Sequence, residues 1–530
     1  MTRYLFTNGT VITMEHEADQ HEACAVIDGA IAGVGNPAQM KKILASDYAE
    51  IDMNGGTLLP GFTDCHLHMV LSTFFTMNLD LAKTASIKEL MTIIQGRVKQ
   101  VEPGKWLLGM RFREDDYAEG RMPTLSELDE ATPDNPLVLL RHDGHSALVN
   151  SVALKAAGIT IDTPDPEGGI IEKKDGMLTG VLKELAMQPV ISAMPIPEME
   201  EFRRGCMEFV RRLLSYGVVC VHNIMQTGAD GPSGDLGPFE IPIFKLFEPE
   251  IPIRSYPMIA APDTAEAVKV ISEQFGGERK NGRLVGGALK IFADGTFGSR
   301  TAYFTEDYHD QPGERGMLVN SLESLKQLVC TAQDEGIQVA VHAIGDRGVS
   351  EMVDIFLEAQ KVYGKKGLRH RIEHAGMIAS ELFPKIREAQ LILSFQPSFI
   401  VSEGSWMKTR VGERLSRVYP IRSAIDQGIP VCGGSDSPIE EPNVMEGVWG
   451  TVIRDGFTSD QALSVFEALS LYTRWAAFAS FQEGARGAIA PGLPADLVVL
   501  DRNPLAAEPE SLRDIRVMRT VIGGETVWER

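Results

Sequence analysis

The chain has 530 residues, of which 44% are hydrophobic and 23% are charged, and its formal net charge is −22. This composition is typical of a globular protein and excludes a disordered or fibrous chain. The acidic balance predicts a protein that binds neither nucleic acid nor membranes, because it would repel their phosphates. The sequence lacks a long apolar run and an N-terminal signal core, and its six cysteines are scattered, so we expect free thiols in a reducing cytoplasm.

Both ends of the chain are predicted to form short strands. Near the start, Asn8-Gly9 and Asp28-Gly29 lie between short apolar runs, which is a hairpin signal. Near the end, residues 496–500 and 519–522 have the same pattern. We therefore predict a small β-sandwich domain built from residues 1–58 and 484–530.

Residues 59–483 are predicted to form a (β/α)8 barrel. Short apolar runs alternate with segments long enough for helices, and this alternation favours a closed parallel barrel. An open doubly wound sheet is the alternative, but no glycine fingerprint follows an early strand. The eight predicted strands are residues 57–64, 217–222, 251–260, 288–294, 338–342, 370–374, 391–396 and 429–432.

The interval between the first two predicted strands is about 150 residues, which is too long for one connecting helix. We predict an insertion subdomain over residues 83–215. Because it leaves the barrel at the end of the first strand, it is expected to cover the mouth.

Catalytic side chains of such barrels lie at the carboxyl ends of the strands. The predicted strands carry metal-ligand residue types near these ends: His66 and His68, Lys290, His342, His374 and Asp436. His66 and His68 are two residues apart, so their side chains point the same way from an extended strand. Imidazole nitrogen and carboxylate oxygen suit zinc or a similar divalent ion.

Three of these positions have alternative interpretations. Asp436 follows two glycines and a serine, and there it would also suit the start of a helix. Lys290 would also suit a buried lysine that is uncharged or ion-paired beside Asp294, four residues further on. His222, at the end of the second predicted strand, is expected either to bind substrate or to support the structure.

Six segments together resemble the amidohydrolase superfamily. They are 61–68 (GFTDCHLH), 290–302 (KIFADGTFGSRTA), 341–346 (VHAIGD), 371–375 (RIEHA), 434–438 (GSDSP) and 491–498 (PGLPADLV). The segment 290–302 is similar to the amidohydrolase 3 branch that contains N-substituted formamide deformylase and the YtcJ-like proteins. The resemblance spans nearly the whole chain.

The resemblance implies a role for each residue. His66, His68 and Asp436 would hold one metal ion, and His342 and His374 a second. Lys290 would be carboxylated and would bridge the two. Asp436 would act as the general base and then pass its proton to the leaving nitrogen. We therefore expect one or two zinc ions, or another divalent metal, for each chain.

The predicted insertion contains a further motif of the branch at 141–150 (RHDGHSALVN), in which His145 is the best candidate for a substrate contact. A turn with a solvated His145 is the alternative. Upstream, 111–115 (RFRED) replaces the Gly-Trp-Asp that the branch often shows. Arg111 and Arg113 therefore indicate a pocket for a more polar or anionic substrate, unless they are solvated surface residues.

These observations predict a metal-dependent hydrolase that cleaves a non-peptide C–N bond, most simply an amide or an N-substituted formamide, with a metal-activated hydroxide. Deamination of a cyclic amidine or purine-like ring is the alternative chemistry. A non-enzymatic regulatory protein on the same scaffold is the alternative class, but all six ligand positions are filled. We expect a cytoplasmic homodimer with a small-molecule substrate.

Overall fold

The computed structural model describes residues 2–114, 117–141, 144–195, 198–229, 231, 233–280 and 283–530. At its centre, eight parallel strands form one sheet in chain order. A parallel bridge between Leu67 and Ser437 joins its first and last edges, so the sheet is a nearly closed barrel, and the predicted fold class is confirmed. Barrel strands 1 to 8 are Phe62–Leu67, Val218–Gln226, Arg254–Ala260, Ala288–Phe292, Gln338–Ala343, Arg371–His374, Ile392–Phe395 and Val431–Gly433.

The predicted strand limits differ from those of the structure, most of all for the first two strands. The predicted strand 57–64 is two strands, because Thr57–Pro60 pairs with Leu497–Leu500 outside the barrel and Phe62–Leu67 begins the barrel. Gly61 lies between them, where an added Cβ would be 2.5 Å from a Val219 methyl group. The second barrel strand continues past His222 to Gln226, because its last seven residues pair with the third strand.

Strands from both chain ends form two further sheets. The four-stranded sheet has the order Ala30–Gly35, Ala23–Ile27, Arg3–Thr7, Ala49–Asp52. The six-stranded sheet has the order Glu525–Glu529, Val517–Ile522, Leu497–Leu500, Thr57–Pro60, Thr10–Ile12, Gln20–His21. Buried residues of both sheets, such as Phe6 and Val499, belong to one hydrophobic cluster, which removes their apolar faces from water.

A separate six-stranded sheet follows the first barrel strand in the sequence. Its order is Gly169–Lys174, Met177–Glu184, Ser146–Val149, Leu137–Arg141, Leu107–Phe112, Leu79–Asp80. Much of its buried face belongs to a hydrophobic cluster distinct from that of the barrel, with Leu90, Leu128 and Leu139 at 0% exposure. A small hairpin, Glu278–Lys280 with Arg283–Val285, precedes barrel strand 4.

Several helices begin after a residue whose side chain caps them. For example, Leu322–Glu335 begins after Ser321, whose side chain accepts a hydrogen bond from the amide of Ser324, and ends at Gly336 with φ 74°. No helix in the described ranges is long and apolar enough to cross a membrane. The α-helices are Pro37–Leu44, Met69–Thr76, Ile87–Val98, Leu125–Ala131, Ser151–Ala156, Gln188–Ala193, Met199–Ser215, Gly237–Phe247, Thr264–Gln274, Leu322–Glu335, Asp346–Tyr363, Phe383–Glu388, Pro397–Glu403, Met407–Val411, Ile421–Asp426, Val444–Ile453, Val465–Ser470 and Arg474–Ala479.

Candidate metal centre

A cavity lies at the carboxyl ends of the barrel strands. It brings together all six residues predicted to bind metal, together with His145 and Arg111 from the inserted sheet. The lining residues are His66, His68, Leu71, Met110, Arg111, Leu140, Arg141, Gly144, His145, Met187, Ile191, Ser233, Lys290, Phe292, His342, His374, Asp436, Pro438 and Ile439.

Ligand-type atoms converge at the base of this cavity. One ligand atom from each of His66, His374 and Asp436 lies within 4.8 Å of the other two. Oδ1 of Asp436 is 3.3 Å from Nε2 of His66 and 3.3 Å from Nε2 of His68. The rings of His342 and His374 have centroids 4.4 Å apart. These are the nitrogen and oxygen donors that zinc and related divalent ions take.

The protonation of the histidines suits metal binding. Burial is the main cause that holds the pKa values of His66, His342 and His374 well below the ordinary value. Neutral imidazole keeps a lone pair for a metal ion. Nδ1 of His374 is buried and has no hydrogen-bond partner among the described residues, which is expected of a nitrogen that binds a ligand. The donor set therefore fits a divalent ion.

Lys290 lies beside the histidines, and it is not paired with Asp294. Its Nζ is 3.4 Å from Nε2 of His66 and 5.0 Å from the centroid of the Phe292 ring. Burial lowers the pKa of Lys290 to about 8. Asp294 instead accepts hydrogen bonds from the backbone amides of residues 303, 344 and 345. Lys290 is therefore not ion-paired with Asp294, whereas the alternative of a buried, uncharged lysine agrees with its surroundings.

Asp436 does not begin a helix. It has φ 59° and the next helix starts only at Val444. Its backbone amide donates to the carbonyl oxygen of His66, at 2.6 Å, which holds the loop after barrel strand 8 against strand 1. Burial alone would raise its pKa, but His66 and His68 hold the pKa of the Asp436 carboxyl below its ordinary value. The carboxylate is thus ionised and directed at the histidines.

Glu373 orients His66, and the sequence analysis missed it. Its Oε2 is 2.5 Å from Nδ1 of His66, and both side chains are almost completely buried. Oε1 of Glu373 lies 2.6 Å from Nε of Arg371. With a proton on Nδ1 facing Glu373, the lone pair of Nε2 faces Asp436. A carboxylate behind a histidine fixes both the tautomer and the ring direction of a metal ligand.

Asp64 ties two ligand-bearing segments together. Its Oδ1 accepts hydrogen bonds from the amide of His66 at 3.1 Å and from the amide of Ser435 at 3.0 Å. The close approach requires Gly434, because a Cβ there would lie 2.5 Å from the amide nitrogen of His66. Asp64 therefore sets the distance between the strand of His66 and the loop of Asp436.

His145 faces the cavity and is held by an acid that the sequence analysis also missed. Its Nδ1 is 2.7 Å from Oε2 of Glu184, and its ring centroid is 5.1 Å from that of His342. Glu184 in turn accepts a hydrogen bond of 2.5 Å from Oγ1 of Thr301. His145 is therefore oriented by the protein, unlike a solvated turn residue. His142 and Asp143 of the same motif, and Asp115 of the upstream one, lie outside the described residues.

The two predicted substrate-binding arginines have other contacts. Arg111 lines the cavity, but its guanidinium is paired with Asp80 at 2.5 Å and with Glu441 at 3.3 Å. Arg113 does not line the cavity, and its Nη1 donates to the carbonyl oxygen of Ser402 at 2.7 Å. The charge of Arg111 is balanced by these two acids, and the expectation that the arginines favour an anionic substrate stays a prediction.

His222 also lies away from the cavity. It is in the middle of the second barrel strand with 0% exposure, and its Nδ1 is 2.8 Å from Nη1 of Arg371. Burial keeps its pKa well below the ordinary value. The structural interpretation of His222 therefore fits, and the substrate-binding one does not. The misplaced end of this strand, at His222 instead of Gln226, is the source of the error.

The walls above the ligands are mainly apolar. Leu71, Met110, Leu140, Met187 and Ile191 line them. A smaller apolar cavity shares three of these residues and extends toward the side chain of Phe74. The site therefore combines a polar base with room for a hydrophobic group.

A barrel of this kind, with histidines and an aspartate converging at its strand ends, defines a metal-dependent hydrolase. The model of the amidohydrolase family matches residues 49–528, so the chain belongs to that family, and the resemblance predicted from the sequence is confirmed.

Individual relatives are similar to the chain over nearly its whole length. The chain is 32% identical to YtcJ of Bacillus subtilis (strain 168), and the match covers 99% of both chains. It is 28% identical to the N-substituted formamide deformylase of Arthrobacter pascens over 100% of this chain and 99% of the other. A metal-dependent hydrolase from Pyrococcus horikoshii OT3 superposes with a TM-score of 0.73 at 26% identity, covering 96% of this chain and 99% of that one.

Proposed function

We propose that this hydrolase is a zinc-dependent amidohydrolase that cleaves the non-peptide C–N bond of an amide or N-substituted formamide. The observation that carries the proposal is the convergence of His66, His374 and Asp436 at the base of a largely apolar cavity. The similarity to an N-substituted formamide deformylase over the whole chain supports the choice of bond.

Six side chains would hold the metal. We assign His66, His68 and Asp436 to one ion and His342 and His374 to a second. Lys290 would join the two as a carbamate, formed when its neutral Nζ attacks carbon dioxide and releases a proton. No carboxylate of the described residues pairs with Lys290, which leaves its amine available for this reaction. A divalent ion bound here would polarise the substrate carbonyl and lower the pKa of a water molecule.

The protein side chains would move the proton and bind the substrate. Asp436 accepts the proton of the attacking water and delivers it to the leaving nitrogen. His145 would act with both ring nitrogens protonated: Nδ1 donates to Glu184, and Nε2 donates a hydrogen bond to the carbonyl oxygen as negative charge develops there. The apolar walls accept an uncharged hydrophobic substituent, and they exclude water from the reacting bond.

The test combines metal exchange with a substrate panel. Chelation should abolish hydrolysis, zinc should restore it, and bicarbonate during reconstitution should increase the recovery if Lys290 is carboxylated. The panel contains N-substituted formamides, acyl amines, cyclic amides, and cyclic amidines or purines. Release of ammonia from a ring with no amide hydrolysis would identify a deaminase, and full activity in a metal-free preparation would refute the metal assignment.

The remaining expectations belong to the same proposal. We assign residues 1–58 and 484–530 to a β-sandwich domain, 59–483 to the hydrolase barrel and 83–215 to its insertion. We expect the enzyme to act in the cytoplasm as a homodimer. Light scattering of the purified chain tests the dimer, and fractionation of the source cells tests the compartment.

A further inference from the structure

A second cavity lies between the C-terminal strands and the barrel, and it shares no lining residue with the metal centre. Its volume is about 460 Å³, which is within the range of small-molecule sites. Three parts of the chain form it: the end of helix Met199–Ser215, the start of helix Val444–Ile453, and residues 502–517 with Arg530. We call it the arginine crevice.

The crevice concentrates positive charge in an acidic protein. Among the described residues its lining contains Arg502, Arg513, Arg516 and Arg530, but only one acidic side chain, that of Asp514. The whole chain has a net charge of −22. The four guanidinium groups around this opening therefore place positive charge together on a protein whose net charge is negative.

Among the described residues, most of these guanidinium groups have no carboxylate at ion-pair distance. Arg502 pairs with Asp501 at 3.0 Å. In the part of the chain that the structure describes, none of the other three arginines has a carboxylate within 4.0 Å of its guanidinium nitrogens. This differs from Arg111 at the metal centre, which has two acidic partners.

Two of these arginines have contacts with groups other than carboxylates. The guanidinium of Arg513 lies 4.7 Å from the centroid of the Trp449 ring. Nε of Arg530 donates to the carbonyl oxygen of Val517 at 3.1 Å. These groups are thus positioned in advance, and they keep N–H donors for a ligand.

We propose that the arginine crevice binds a small molecule that carries two phosphate groups. A planar guanidinium presents paired N–H donors that match phosphate oxygens, and several such groups favour a multiply charged anion. Asn443, at the start of helix Val444–Ile453, adds a neutral amide that does not cap the helix. The volume exceeds that of one phosphate ion, so the crevice has room for a bisphosphorylated organic molecule.

The test is calorimetric titration of the metal-loaded protein with glucose 1,6-bisphosphate at low ionic strength. Glucose 6-phosphate, inorganic phosphate and glucose are the comparison ligands. The bisphosphate should bind more tightly than the monophosphate or inorganic phosphate, and glucose should not bind. The double variant Arg513→Gln/Arg516→Gln should weaken bisphosphate binding by about tenfold or more, since each lost charged hydrogen bond contributes on that scale.

Two controls make the result specific. Arg387→Gln changes the charge at an exposed arginine outside the crevice and should bind like the wild type. The titration is repeated with Asp436→Asn, so that the outcome does not depend on the proposed hydrolysis. Absence of bisphosphate binding, or an equal loss in Arg387→Gln, would overturn the proposal. So would a change of oligomeric state in the double variant, which would assign the crevice to contact with a second copy of the chain.

Discussion

The two sides of the metal-centre cavity are built differently. Its base consists of His66, Lys290, His342, His374 and Asp436, none of them more than 8% exposed. Its roof comes from the inserted sheet, where the side chains of Arg111 and His145 are 14% and 20% exposed. The base residues belong to barrel strands that are remote in sequence. The roof residues Arg111 and His145 instead pair with nearby acidic side chains, Asp80 and Glu184.

This difference separates the chemistry from substrate selection. Bonds such as His66–Glu373 and Asp64–Ser435 join distant parts of the chain and are buried, so the ligand geometry cannot change without disturbing the barrel. Roof residues are partly exposed to solvent, and breaking their ion pairs costs little free energy. Substitutions in the base should therefore affect turnover and metal binding. Those in the roof should affect the choice of substrate, except at His145, which we propose to contact the reacting carbonyl.

The largest effect is expected for Asp436→Asn at the base. Asparagine keeps the shape and one oxygen ligand but accepts no proton, so turnover should fall by about 10² to 10⁴ with the metal largely retained. Steady-state kinetics and elemental analysis measure the two quantities. Asp175→Asn, in an exposed turn with φ 51° that asparagine tolerates, is the matched control. Near-normal turnover in Asp436→Asn would show that the base lies elsewhere.

His145→Ala tests whether the roof also takes part in the chemistry. Because His145 is held beside His342 by Glu184, we expect turnover to fall by about 10² to 10³, the scale of one oxyanion donor. Metal content should not change, which distinguishes the variant from the loss of a ligand. His16→Ala removes an exposed histidine and should have no effect. Unchanged rates on every substrate would make His145 a structural residue.

The sequence predicted which side chains meet at the base of the cavity because each ligand candidate lies within or shortly after a recognisable apolar run. The carboxyl ends of parallel strands meet at one face, so residues far apart such as His66 and Asp436 were expected together. Strand limits were less certain. The end of strand 2 depends on pairing with strand 3, and this non-local bond is invisible in the sequence of 217–222.

Glu373 and Glu184 could not be predicted for another reason. Glu373 precedes His374, and alternation along a strand would direct it to the opposite side. The strand bends at His374, where φ is 71°, and Glu373 reaches His66 instead. Glu184 lies 39 residues from His145 and meets it only because their strands are neighbours in the inserted sheet. The acidic partners of Arg111, Asp80 and Glu441, could not be predicted for the same reason.

Glu373→Gln tests the rigidity of the base without removing a metal ligand. Glutamine fits the space, but it accepts less strongly from Nδ1 of His66 and leaves the charge of Arg371 uncompensated. We expect metal affinity to fall by about 10- to 100-fold, measured by titration of the metal-free protein with zinc. Glu483→Gln breaks an exposed ion pair with Arg369 and is the control. A circular dichroism melt checks that the variant is folded, and unaltered zinc affinity in a folded variant would contradict the orienting role.

The smallest effect is expected for Arg111→Leu, which decides between the two interpretations of the roof. Since Asp80 and Glu441 already balance its charge, removing the guanidinium should alter KM for neutral amides by less than about tenfold and leave kcat unchanged. Arg113→Leu, whose parent side chain does not line the cavity, is the matched comparison. Both variants are assayed on pairs of amides that differ only in a carboxylate on the substituent. One outcome is that Arg111→Leu lowers kcat/KM selectively for the amide that bears the carboxylate, by more than about 10². In that case Arg111 leaves its acidic protein partners to bind the substrate carboxylate, and the anionic substrate expected from the sequence would be right. If kcat/KM changes equally for both amides of each pair, the apolar walls of the cavity select the substrate. The charge of Arg111 then serves to hold the roof against the loop that follows Asp436.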